Sequence, residues 1–311
     1  MTQTVTAAPL VSIIVPSFNQ GRFLAQTLDS ILAQDHRPLE VLVMDGGSTD
    51  ETVEVLRRYA AQHPELQWIS EPDRGPADAV NKGLARARGL FAGVQSSDDL
   101  YRPGAIREAV AELRADPALT LICGDIELID IHGRVEGHVA AGRPLTPANL
   151  LARSCVVHQS SAFFRVDAAR AAGGWDGRYF CCDAEFWMRL LLAGGRGRRV
   201  ARTWSAWRRH DVQRDKEARK VWDAWRRMID DSPLLRGAPL HLRLAAEAGH
   251  SLLTLKYNPT GSKWFRLFHV WRAVLLYPPS LLGIPRKSVL VPGVGALRHA
   301  AGRLLTGDSR G

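Results

Sequence analysis

The sequence predicts an α/β chain with a mostly parallel central sheet flanked by helices and a helical C-terminal extension. Three observations lead there. Short apolar runs alternate with helix-period segments through residues 10–125, polar residues cluster at the ends of four successive apolar runs, and the charge divides unevenly along the chain.

"LVSIIV" (10–15) is a continuous β-branched run, the pattern of a strand buried on both faces. "GRFLAQTLDSILAQ" then sets Leu24, Leu28, Ile31 and Leu32 on one helical stripe. "LEVLVMD" (39–45) reads as the second strand and "STDETVEVLRRYAAQ" as the second helix, with Ser48 and Glu51 spaced as a capping box. "LQWIS" is a weaker third strand, a helix follows from about Pro76 to Arg88, and "LFAGVQ" is the fourth strand. Alternation at this pitch is the signature of a parallel sheet covered on both faces.

Composition narrows the class. A chain of 311 residues that is 46% hydrophobic buries a sizeable core. Cys123, Cys155, Cys181 and Cys182 show no metal-ligand spacing and read as reduced thiols of a cytoplasmic protein. "MTQTVTAAPL" lacks the pattern of a signal peptide, and no uninterrupted apolar stretch reaches the length of a bilayer span. Residues 1–195 hold 18 Lys+Arg against 24 Asp+Glu, a net of −6, while residues 196–311 hold 23 against 8, a net of +15. The basic third therefore faces something anionic. A nucleic acid is not expected, because no recognition motif is present and the acidic front would repel a phosphate backbone.

Open α/β sheets bind ligands beyond the carboxyl ends of their strands. Those ends here read "PSFN", "DGGSTD", "EPDRG" and "SSDD". Neither GxxxxGK[ST] nor a GxGxxG after a strand is present, so a bound diphosphate needs another partner. Mn²⁺ or Mg²⁺ held by carboxylates is the substitute, and the adjacent Asp98 and Asp99 are the candidate ligands. The competing reading makes Asp99 a helix cap for a helix near Pro103–Arg114.

"VSIIVPSFNQGRFLAQTLDSILAQ", "EVLVMDGGSTDET", "EPDRGPADAVNKG" and "SSDD" together resemble the successive motifs of the family 2 glycosyltransferases, inverting enzymes of the GT-A fold, over residues 10–210. The resemblance implies that Pro16, Ser17, Phe18, Asn19 and Asp45 contact the base and ribose of a nucleotide-sugar. It places Asp73, Asn81 and Lys82 along the donor and makes Asp99 the principal metal ligand, with Asp98 beside it or facing the sugar. His210, in "AWRRHD", matches a position that closes over metal or diphosphate; Arg208 and Arg209 before it pair with phosphates or belong to a solvated basic face. "GGWDGRYFCCDAEFWMRLL" resembles the acceptor segment, with Trp175 and Asp176 in its turn and Asp183 at the catalytic base. His158 and Gln159 are candidates to line the acceptor site.

The expected organisation is a catalytic domain over residues 1–211, divided into a donor half (10–100) and an acceptor half (101–211), then a basic extension over residues 212–311. The expected reaction is metal-dependent transfer to a glycan or lipid-linked acceptor, in bacterial surface polysaccharide or lipopolysaccharide assembly. The QxxRW signature of processive members is absent, so one or a few sugars are added before release. Two rival readings are a nucleotidyltransferase acting on a sugar phosphate and a non-catalytic nucleotide-sugar-binding scaffold. In the tail, "SKWFRLFHVWRAVLLYPP" places Trp264, Leu267, Phe268, Trp271, Val274 and Leu275 on one helical face and Lys263, Arg266, His269 and Arg272 elsewhere. That pattern fits either a helix in an anionic membrane interface, which would make the protein peripheral on the inner face of the membrane, or one packed on the domain. Nothing in the sequence fixes an oligomeric state.

Overall fold

A computed structural model describes residues 7–211, 217–258 and 262–279. The expected basic extension beyond residue 279, and the residues before Ala7, lie outside the described residues. In chain order the elements are β1 (Val11–Ser17), α1 (Gly21–Leu32), β2 (Leu39–Asp45), α2 (Thr52–Ala60), β3 (Leu66–Ser70), α3 (Pro76–Arg86), β4 (Phe91–Val94), β5 (Leu100–Tyr101), α4 (Ala105–Ala115), β6 (Leu119–Ile129) and β7 (Val135–Val139). They continue with α5 (Pro147–Leu151), β8 (Ala162–Arg165), α6 (Val166–Ala171), α7 (Cys182–Leu192), β9 (Arg196–Arg208), α8 (Ala218–Asp231), α9 (Pro233–Arg236), α10 (Leu240–Tyr257) and α11 (Lys263–Leu276).

Two compact units emerge. Among the described residues, the first comprises 7–141, 157–178 and 182–211; the second comprises 142–156, 179–181, 217–258 and 262–279.

In the first unit one sheet runs β3-β2-β1-β4-β8-β6-β9-β5, with β7 on β6. The donor half is wholly parallel: β1 pairs β2 and β4, and β2 pairs β3. The register sets Ser17 beside Asp45 and Asp45 beside Ser70, so three polar side chains end on one sheet edge. Beyond β4 the sheet is mixed, with β8 antiparallel to β4 and β6 while β9 runs parallel to β6. The core fills as the apolar periodicity predicts: Val11, Ile13 and Val15 pack with Leu24, Leu28 and Ile31 of α1 and with Val41 and Val43 of β2.

The expected capping box at α2 does not form. Asp50 does that work, accepting the Thr52 N–H at 3.0 Å and, through its other oxygen, the Gly21 N–H at 3.0 Å. Ser48 turns instead to Asp45. Asp50 ties two helix starts together, which Ser48 is too far upstream to do.

The second unit centres on α10. Ala248, Leu252 and Leu255 pack against Val270 and Ala273 of α11, and Glu247 receives Arg226 of α8 at 2.9 Å and Arg272 of α11 at 2.7 Å. The expected apolar face of α11 splits in two. Leu267 and Val274 pack toward α10 together with Val270 and Ala273, whereas Trp264, Phe268, Trp271 and Leu275 point outward. Apolar residues occupy more than half of this helix's circumference, so a single-face assignment was bound to merge two faces.

Candidate active site

The ends of β1 and β2 are clamped by their own side chains. Asn19, held in the left-handed region at φ 52°, offers its backbone N–H to Ser48 Oγ at 2.7 Å and accepts the Thr49 N–H at 2.9 Å. Asn tolerates that conformation better than most residues because its short amide bonds locally. Phe18 projects into solvent beside it, while Ser17 is buried with its hydroxyl lacking a partner among the described residues. Asp45 is buried and accepts from the Gly47 N–H at 3.2 Å, the Ser48 N–H at 2.9 Å, the Ser70 hydroxyl at 2.6 Å and the Ser48 hydroxyl. Its carboxylate organises the loop it belongs to.

Asp73, from the loop after β3, accepts the Gly75 N–H at 2.7 Å and lies so close over Gly46 that a Cβ there would sit 2.7 Å from its oxygen. Lys82 on α3 pairs with Glu71 at 2.8 Å and lies 3.6 Å from Asp78. Asn81, on the same helix, gives both amide ends to one backbone: its Nδ2 donates to the Trp175 carbonyl and its Oδ1 accepts the Trp175 N–H, each at 2.8 Å. Gly174, at φ 68°, makes that close approach possible, since any Cβ there would run into the Asn81 amide.

The acidic pair separates into two environments. Asp99 is only 2% exposed. It accepts the Arg208 N–H at 2.9 Å and a bond from the Ser160 hydroxyl, and its own carbonyl accepts from Thr27 Oγ1 at 2.9 Å. Burial, and then the charge of Asp98, push its carboxyl well above the usual carboxylate range. It caps nothing: α4 begins after Gly104, which carries the left-handed turn at φ 79°. Asp98 faces outward enough to receive His210, whose Nε2 lies 2.9 Å from its Oδ2. The ring of His210 rests 5.2 Å from that of Phe23.

Arg208 does not lie on the solvated basic face that one sequence reading gave it. Its side chain is fully buried, spanning from Asp98 to β6's end. Nε donates to the Asp98 carbonyl at 2.8 Å, Nη2 to Gln26 Oε1 at 2.8 Å, and Nη1 to the carbonyl of Ile131 at 3.1 Å. It does not belong to a solvated face; it pins the loop that presents Asp98. Arg209 is the exposed member of the two.

Asp183 lies in the first turn of α7, half-buried, where the positive end of the helix dipole favours a carboxylate. Glu185, one turn-step on, is buried and bonded to Arg189 at 2.8 and 2.9 Å, and Arg189 in turn donates to the Gly174 carbonyl at 2.6 Å. Trp175 packs among Phe186 and Trp187, and Asp176 is forked by Arg178 at 2.6 to 3.0 Å. A cavity of about 620 Å³ opens here, lined among others by Arg74, Asp78, Asn81, Trp175, Asp176 and Arg189. Gln159 reaches the acidic loop, its Nε2 3.2 Å from Ser96 Oγ; His158 is half-buried directly before it.

A carboxylate and an imidazole side by side, Asp98 and His210, are a donor set suited to a divalent cation that takes its remaining ligands from phosphate and water. Among the described residues no cluster of three or more His, Cys, Asp or Glu side chains could hold a metal without such help. Sequence reasoning missed the holding role of Arg208, because a basic residue in a basic run gives no signal of burial.

The sequence profile described as glycosyl transferase family 2 matches residues 12–171. An uncharacterised glycosyltransferase of Mycobacterium tuberculosis is 33% identical over 191 residues, covering 60% of this chain and 71% of that one. A chondroitin synthase of Escherichia coli is 31% identical over 168 residues, but the match covers 54% of this chain and only 24% of that protein. Among solved structures, S. aureus TarS 1–349 in complex with UDP-GlcNAc aligns over 96% of this chain and 92% of its own with a TM-score of 0.64 at 16% identity. The mannosyltransferase PcManGT of Pyrobaculum calidifontis, in complex with GDP-Man and Mn²⁺, aligns over 98% and 89% with a TM-score of 0.60 at 23% identity. At these identities the two likenesses establish the fold, the GT-A-type architecture expected from the motifs.

Proposed function

The chain belongs to glycosyl transferase family 2, and on that footing we propose that it transfers a sugar, with inversion, from a nucleotide-diphospho-sugar to a hydroxyl of a glycan or lipid-linked acceptor. The single observation that carries the reading is the Asp98–His210 pair, partly buried, which follows β4 at the carboxyl end of the sheet where Ser17, Asp45 and Ser70 also end.

The donor half supplies recognition. The loops after β1, β2 and β3, held by Asp45 and Asp73, form the floor for the nucleoside, and the exposed ring of Phe18 is placed to lie against a base. Asp98 and His210 would hold Mn²⁺ or Mg²⁺, which neutralises charge on the departing nucleoside diphosphate. Asp99 and Arg208 hold that pair in place from behind. Asn81 serves the site indirectly, by fixing Trp175 and with it one wall of the 620 Å³ cavity.

Asp183 acts as the base. As the acceptor hydroxyl attacks the anomeric carbon on the face opposite the phosphate, its proton passes to the Asp183 carboxylate, the new C–O bond forms and the bond to the diphosphate breaks. His158, Gln159, Trp175 and Asp176 border the acceptor side of this reading. That one neighbour binds UDP-GlcNAc and another GDP-Man with Mn²⁺ supports a nucleotide-sugar donor. A lipid-linked acceptor would bring the protein to the cytoplasmic face of a membrane. Release of UDP, GDP or dTDP from a panel of nucleotide-sugars, by wild type and by Asp183→Asn, tests the reading: release from one donor class that the substitution suppresses supports it, and release from none refutes it.

A further inference from the structure

Four large apolar side chains of α11, Trp264, Phe268, Trp271 and Leu275, are 78%, 61%, 41% and 77% exposed. Their spacing of four, three and four places them in one stripe along about 16 Å of helix axis. The stripe is not left over from poor packing, because the opposite side of the same helix is closed against α10 by Val270 and Ala273, at 1% and 0% exposure. Isolated exposed apolar residues are ordinary, but a contiguous aromatic stripe on a helix that is otherwise well packed marks a surface for something apolar.

Charge identifies the partner. Between Glu247 and Asp308 the sequence contains no acidic residue, while it contains eight Lys and Arg: Lys256, Lys263, Arg266, Arg272, Arg286, Lys287, Arg298 and Arg303. A protein partner of ordinary composition would not call for sixty residues free of negative charge; an anionic lipid surface does. Trp and Phe are the residues that settle at the boundary between headgroups and acyl chains. Among the described residues no helix is long and apolar enough to cross a bilayer, so the contact is an in-plane one.

We infer that α11 lies in the surface of an anionic bilayer, with Trp264, Phe268, Trp271 and Leu275 inserted among the upper acyl chains. The inference is independent of the catalytic reading, since it needs no nucleotide-sugar chemistry. The packed face formed by Leu267, Val270, Ala273 and Val274 stays on α10, so docking requires no unfolding of the helix pair.

The test uses the full chain with vesicles of phosphatidylglycerol and phosphatidylcholine, with vesicles of phosphatidylcholine alone, and with brominated acyl chains. The expected results are co-sedimentation with the anionic vesicles, quenching of tryptophan emission by bromine, and a fall of at least about tenfold in vesicle partitioning for Trp264→Ser/Phe268→Ser/Leu275→Ser. Equal partitioning of wild type and variant would show that charge alone is at work and overturn the insertion. Absence of bromine quenching in the wild type overturns it without reference to any variant. So would a dimer that forms without vesicles and that the triple substitution dissolves, because the stripe would then be covered by a second copy.

Discussion

His210 Nε2 stands 2.9 Å from Asp98 Oδ2, two residues after the strand residue whose backbone N–H is bonded to Asp99. Residues more than a hundred positions apart are thus delivered to one point by β9, which ends at Arg208 beside the acidic loop and leads directly into His210. In the proposed reading the less buried carboxylate and the imidazole form the metal-holding pair, and the buried carboxylate of Asp99 is part of its mounting.

Asp98→Asn therefore removes a charged ligand while keeping the side chain's shape. Transfer is expected to fall by at least about a hundredfold, with the loss appearing in metal dependence as well as in rate. Steady-state assays across a Mn²⁺ series check this. A variant with unaltered metal dependence would take Asp98 out of the site.

Asp183→Asn is expected to lower turnover by about 10²- to 10⁴-fold, the range for loss of a general base, while leaving nucleotide affinity within about twofold of wild type. Comparing kcat with calorimetric affinity separates the two. Parallel losses in both would mean that Asp183 supports the donor site rather than the acceptor proton.

Arg208→Ala leaves the Asp98 carbonyl, the Ile131 carbonyl and Gln26 without their buried donor. A loss of about 2 kcal/mol or more in stability is expected, since an unmet buried acceptor costs on the order of 1–3 kcal/mol while the exposed Gln26 can turn to solvent. Arg208→Lys rescues little, because a single ammonium cannot serve acceptors arrayed around a fork. Chemical denaturation gives both values, and an unchanged midpoint for Arg208→Ala would remove the residue's holding role.

The α8–α10–α11 unit is expected to lose stability below neutral pH. Burial, followed by the charge of Arg226, lowers His250 to about 4 from an ordinary value near 6.5. The unfolded chain then binds a proton that the folded chain does not, so stability falls as pH drops from about 6.5 toward 4 and levels off below that. Glu247 adds to the fall in the same direction: burial raises it, but the hydrogen bonds from Arg272 and Arg226 more than offset that and hold it below its usual range. Thermal melts of wild type and His250→Gln across pH 4 to 7 check the sign, and a variant with an undiminished slope would assign the effect to Glu247 alone.

The donor half was readable because its physics is local. "LVSIIV" and "LEVLVMD" are apolar on both faces, so they had to lie inside a covered sheet, and the polar residues that end them had to share an edge. What escaped the sequence was set by distant pairing. Arg208 is buried only because β9 runs along β6, and "AWRRHD" by itself looks solvated. The different surroundings of Asp98 and Asp99 escaped for the same reason: which of two neighbouring carboxylates faces inward depends on an N–H that arrives from residue 208. In α11 the periodicity was visible but the partner was not, so residues facing α10 and residues facing outward were read as one surface.

The most direct measurement is calorimetric titration of UDP, GDP and dTDP into wild type and Asp98→Asn, each with and without Mn²⁺. At least one nucleotide is predicted to bind wild type about tenfold or more tightly with the metal, and that gain is predicted to vanish in Asp98→Asn. Nucleotide binding that is indifferent both to Mn²⁺ and to the substitution would contradict the assignment of Asp98 and His210 as the metal-holding pair.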